Sequence, residues 1–182
     1  MTPDVKRWDM IFRISVLLAV GCLVTGGGCS KRLTLDIAEK YVADPSSEDL
    51  NRFTLIDDAA AEALAKHDGN LWLRGLTSLS DAQVEALAKH KGWLVLNGLT
   101  SLSDTQAEAL AKHDGDLNLG LTKLPDSVAE ALAKHKGILA LPALTELSDA
   151  AAEALSTHEG YLALDHGKLP SSASKILTNA GH

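Results

Sequence analysis

Cysteine is scarce in this chain: two residues in 182, Cys22 and Cys29, both near the start. Two thiols so placed exclude a disulfide framework or a cysteine-based metal cluster. Aromatic residues make up only 4% of the sequence, and Ala and Leu dominate, so any core is thin and built from small aliphatics. Basic residues are outnumbered, 17 against 24 acidic ones, for a formal charge of −7. They are scattered singly, with no run of four, which excludes the clustered basic surface that nucleic acid requires. No phosphate-binding loop and no HExxH pair occurs. At 46% hydrophobic, the composition is that of a globular chain.

The first 13 residues carry Lys6, Arg7 and Arg13, and residues 14 to 24 form an uncharged apolar run of 11. This order, basic then apolar, predicts a secretory signal. The run is shorter than the roughly 20 apolar residues that span a bilayer; extension through the Gly-rich stretch to Cys29 keeps a retained membrane anchor as the rival reading. Thr25-Gly26-Gly27-Gly28-Cys29-Ser30 resembles a bacterial lipobox, in which small residues precede a cysteine that is lipidated and becomes the new N-terminus. Ala19-Val20-Gly21-Cys22 resembles one too. Cys29 is preferred, because a full apolar run stands before it and Ser30, Lys31 and Arg32 follow. The resemblance implies a signal peptide over residues 1–28 and a body held to a membrane of the bacterial envelope by acyl chains. Residues 29–45 then read as a linker with a short capping helix, Leu35 to Val42.

From residue 46 onward the chain repeats. Gly69, Gly92, Gly115, Gly137 and Gly160 are spaced 23, 23, 22 and 23 residues apart, and each follows a histidine by two: His67, His90, His113, His135 and His158. Such self-similarity organises everything else. In the unit Trp93 to Gly115, Leu94 and Leu96 alternate as in a short strand. Ser103 with Gln106 three residues later forms a capping box that starts a helix. Ala107, Leu110 and Ala111 supply a narrow apolar stripe, with Glu108 and Lys112 outward. Gly115 is expected to stop that helix. The last helical region, Ser171 to Leu177, is polar as a terminal cap should be.

Strand, turn, helix and return within 23 residues suit one architecture. Leu71-x-Leu73-x-x-Leu76-x-x-Leu79-Ser80-Asp81, with Leu94 through Asp104 and Leu139 through Asp149, resembles the strand and turn of leucine-rich repeats. The Asn or Cys usual at the turn is replaced by Gly75, Gly98 or Ala143. The resemblance covers roughly residues 46–182 and implies a short α/β solenoid with parallel strands on the concave face and helices on the convex face.

Outward strand positions would then line the concave face: Trp72, Arg74, Trp93, Val95, Asn97, Asn118 and Tyr161 among them. This mixed aromatic and polar set points to recognition of a protein or peptide of the envelope, with a passive spacer as the alternative. The oligomeric state stays open. The histidine column suggests a metal ladder, but packed helices stand roughly 8 to 10 Å apart, too far for neighbouring ends to share an ion that each ligand must approach to about 2.1 Å. A role beside the negative helix end is the simpler reading. Ser, His and Asp all recur at fixed repeat positions, so no trio is singled out for nucleophilic catalysis. No enzyme activity, metal or cofactor is expected.

Overall fold

The computed structural model describes residues 31–182. The expected leader and both candidate lipidation sites, Cys29 and Cys22, lie outside the described residues. The chain begins with strand β1 (Arg32–Leu33), helix α1 (Leu35–Ala43), a single 3₁₀ turn (Leu50–Arg52) and β2 (Leu55–Ile56). Helix α2 (Asp58–Leu64) leads into β3 (Leu71–Trp72), α3 (Asp81–Leu87), β4 (Leu94–Leu96), α4 (Asp104–Leu110) and β5 (Leu117–Leu119). The remaining elements are β6 (Lys123–Leu124), α5 (Asp126–Leu132), β7 (Leu139–Leu141), β8 (Glu146–Leu147), α6 (Asp149–Leu155), β9 (Leu162–Leu164) and α7 (Ser171–Ala180).

The architecture is α/β, with repeated strand–helix units in a solenoid-like arrangement. Five short strands form one parallel sheet in the order β3-β4-β5-β7-β9. Its register aligns Leu71, Leu94, Leu117, Leu139 and Leu162 in a single row. Two-stranded parallel pairs, β1 with β2 and β6 with β8, complete the strand layer. Each helix packs against the next along the array, and in the five-stranded sheet the first leucine N–H of β3, β4, β5 and β7 donates forward, as Leu94 N–H does to the Asp116 carbonyl. Residues 32–43 pack onto this body: β1 pairs with β2, and the expected capping helix, α1, covers α2 with Ala38 and Tyr41 buried.

Local sequence accounts for each unit. The two leucines of every Leu-x-Leu strand turn toward the helices, and those of β3, β4, β5 and β7 and their neighbours Leu73 and Leu76 are fully buried. At the start of α4, Ser103 Oγ accepts from the Gln106 N–H (3.2 Å) and Gln106 Oε1 accepts from the Ser103 N–H (3.1 Å). Ser80 and Gln83 repeat the arrangement at α3. Each glutamine also reaches back one unit: Gln106 Nε2 donates to the Leu79 carbonyl (2.8 Å) and Gln83 Nε2 to the Ile56 carbonyl (2.9 Å). The capping box therefore satisfies helix donors and ties neighbouring units together.

One expectation about the repeat is corrected. Helix α4 ends at Leu110, five residues before Gly115, and Gly115 does not adopt a left-handed backbone; among the repeat glycines only Gly69 does, at φ 131°. The glycine is required for space instead. A Cβ on Gly92, Gly115, Gly137 or Gly160 would run into the carbonyl of the corresponding glycine one unit earlier. Gly75, Gly98 and Gly120 meet the same restriction against backbone carbonyls of the preceding unit. Two glycine columns thus set the pitch at which units stack.

Candidate functional site

The outer face of the five-stranded sheet, opposite the helices, brings most of the expected binding residues together. Trp72 pairs in register with Val95, which pairs with Asn118, then Ala140 and Ala163. The indoles of Trp72 and Trp93 lie 5.7 Å apart between centroids and tilted by 47°. The Arg74 guanidinium sits over the Trp72 ring, 4.5 Å from its centroid. This geometry suits cation–π attraction and leaves the guanidinium edge free to donate. Its backbone is fixed by the Arg74 N–H, which donates to Asn51 Oδ1 of the preceding turn (3.2 Å). Among the described residues Arg74 has no ion-pair partner.

Asn97 is exposed beside this cluster, and Asn118 is half-buried. Tyr161 lies at the far end of the sheet and is 70% exposed, with Ile138 one strand nearer at 38%. Two polar atoms of this face, Trp93 Nε1 and Asn118 Oδ1, are buried without a hydrogen-bond partner. Such atoms are costly unless something satisfies them.

Val95 is a correction. Strand alternation places it on the outer face, yet it is 0% exposed. It has Trp72 as its register partner on one side and Trp93 two residues before it, so the larger aromatic groups enclose the smaller side chain. It supports the indole pair and offers no surface to a partner.

The histidines stand elsewhere, at the helix ends as expected but turned inward: His113 and His158 each face the carbonyl of the C-cap residue of the preceding helix, Ala88 and Ala133. His90, His113, His135 and His158 are the buried polar residues of the array, with exposures of 0, 2, 1 and 3%. Their rings are stacked at centroid separations of 6.1 to 6.3 Å and within 15° of parallel, in line with His67. Tyr41 closes one end edge-on to His67 at 5.2 Å, and His182 lies over the other at 6.5 Å from His158. The turn that follows each helix aims the ring inward, as with the His113 N–H donating to the Leu110 carbonyl (3.0 Å).

Backbone carbonyls face both nitrogens of His113: Ala88 O is 3.3 Å from Nδ1 and Gly92 O is 3.0 Å from Nε2. A neutral imidazole carries one N–H, so it can satisfy one of these acceptors, whereas the imidazolium can satisfy both. His90 and His135 have no hydrogen bond at either nitrogen. Burial holds both of these rings below the ordinary imidazole pKa of 6.5, with mutual repulsion between rungs adding to it. The Gly69 carbonyl favours the charged form of His90, and Asp116 that of His135, but neither outweighs burial.

Face-to-face stacking turns the ring nitrogens sideways toward backbone rather than toward a common point. Among the described residues no group of three or more His, Cys, Asp or Glu side chains is arranged to hold a metal ion, and no helix is long and apolar enough to cross a membrane. The stack was hidden in the sequence because each histidine sits beside charged residues, Lys89 and Lys91 or Lys112 and Asp114. A signal was present all the same: every ring precedes a glycine by two, and a Cβ on that glycine would lie 2.8 to 2.9 Å from the Nε2 of His90, His113, His135 or His158. No protein-family model matches the chain, and no curated protein is significantly similar to it.

Proposed function

We propose that this is an exported, lipid-anchored protein of the bacterial cell envelope, similar to leucine-rich-repeat proteins, whose concave sheet face binds a protein or peptide without catalysis. The observation that carries the reading is the Trp72–Arg74–Trp93 cluster: two partly exposed indoles and an unpaired guanidinium stacked on one of them. Aromatic and arginine anchors of this kind dominate binding energy at interfaces. The exposed side chains of Asn97 and Tyr161 on the same face support it. Anchoring rests on the lipobox-like segment ending at Cys29.

The test is capture from a detergent extract of the native envelope, with the purified chain beside a Trp72→Ser, Trp93→Ser, Tyr161→Ser variant shown by circular dichroism to be folded. A species retained by the unaltered chain and lost by at least tenfold with the variant is the expected result. Equal recoveries would favour a passive spacer, which has no use for the indoles. For the anchor, Cys29→Ser is expected to give an exported protein that fractionates with the soluble phase and carries no acyl mass. Retention in the membrane with acylation would move the site to Cys22, and retention without it would indicate an uncleaved apolar anchor.

A further inference from the structure

We propose that the buried imidazole stack is a proton-operated switch, holding the array closed while its rungs are neutral and opening it when the surroundings turn acidic. The inference rests on the stack alone and is independent of what the sheet face binds. Four consecutive rings lie in the interior, 6.1 to 6.2 Å from one another, so charging adjacent rungs places like charges at that separation away from water. The stack also lies on the seam between units, where each ring crowds the space a Cβ on its own glycine would take and His113 and His158 face carbonyls of the unit before. Repulsion along the stack therefore acts across the same contacts that set the pitch.

The groups around each rung decide the sign. Every rung has other imidazoles or Tyr41 above and below it. His90 stands between Lys89 and Lys91 in the chain, His135 between Lys134 and Lys136, and these four lysines are exposed. His67 lies between Lys66 and Asp68, His113 between Lys112 and Asp114, and His158 is followed by Glu159, all exposed. Glu108, Lys112, Lys134 and Lys136 line the same surface recess as His113. Asp116 is the acid that favours a charged His135. Neither His90 nor His135 hydrogen-bonds a carboxylate, and burial opposes their charging before any other influence.

The pH window follows. A ring whose folded value is depressed below 6.5 takes up a proton when the chain unfolds. Stability is complete above the unfolded value, and is lost progressively as pH falls below it toward the folded value. Each such rung raises the unfolding equilibrium constant by up to about tenfold per pH unit in that interval. His90 and His135 together give up to about a hundredfold per unit. The carboxylates with lowered values, Asp44, Asp49 and Asp165, owe this to local hydrogen bonds and act below the carboxylate range, outside the window.

The test is urea unfolding of the purified chain from pH 7.5 to 5.0, beside a His90→Phe, His135→Phe variant. Phenylalanine keeps an aromatic ring in the stack and removes no hydrogen bond of normal geometry, only the weaker polar contacts of His90 with the backbone of Gly69 and His67 and of His135 with that of Ile138. The expected result is a steep acid-dependent loss of stability in the parent that is largely flattened in the variant. An unfolding constant that stays level across the window overturns the proposal. Proton NMR of the parent's imidazole C–H groups decides independently if the variant does not fold. Folded-state midpoints well below 6.5 for His90 and His135 support the switch, whereas midpoints at the free value for these two with the fold retained overturn it.

Discussion

Replacing Gly115 by alanine is expected to destabilise the array by about 3 kcal/mol or more, at the upper end of what overpacking a tight site costs. The added Cβ would run into the Gly92 carbonyl oxygen, 3.0 Å from its carbon and 2.9 Å from His113 Nε2. Neither obstacle can step aside. One is backbone of the neighbouring unit, and the other is a ring held between stacked rings on both faces. The cost arises from spacing and not from a special backbone conformation, because Gly115 has none. Gly167→Ala is the matched control: its Cβ would have only the Asp165 Oδ1 nearby, at 3.4 Å, and a change within about 0.5 kcal/mol is expected. Urea unfolding midpoints of the two variants check the contrast. Equal midpoints would mean that units do not approach as closely as the glycine columns indicate.

These glycines also show where sequence reasoning reaches its limit. A glycine two residues beyond a helical pattern is selected either by a left-handed C-cap or by a neighbouring backbone, and one letter cannot separate the two causes. The period of 23, the strand leucines and the Ser103–Gln106 capping box were legible, because they depend on contacts within one unit or on simple alternation. The backward reach of Gln106 to the Leu79 carbonyl was not, since it depends on how units stack. The inward stacking of the histidines was not legible for a related reason. Their charged neighbours signal water, and only the pitch of the array makes the inward ring possible. On the sheet face, alternation gave the side of Val95 correctly but not its exposure, which depends on the bulk of Trp72 and Trp93 around it.

Pitch being fixed by backbone contact, the remaining stability resides in the leucine rows, and Leu119→Ala is expected to cost about 2 to 5 kcal/mol. Leu119 is fully buried in β5, the middle strand of the sheet, with Leu96 as its register partner. The glycine after it, Gly120, stands against the Asn97 carbonyl of the preceding unit, which restricts collapse around the cavity. In an array held by nearest-neighbour contacts, a central defect weakens the coupling on both sides. The unfolding curve of this variant is therefore expected to broaden or separate into two steps, for residues before and after β5. Leu164→Ala offers the comparison. It occupies the third position of β9, the terminal strand, and is partly exposed already. Its truncation leaves a site open to solvent on one side and should cost less than half as much, with the transition still single. Equal losses for the two variants, both in one sharp step, would show that the chain unfolds as one cooperative body and not as a chain of coupled units.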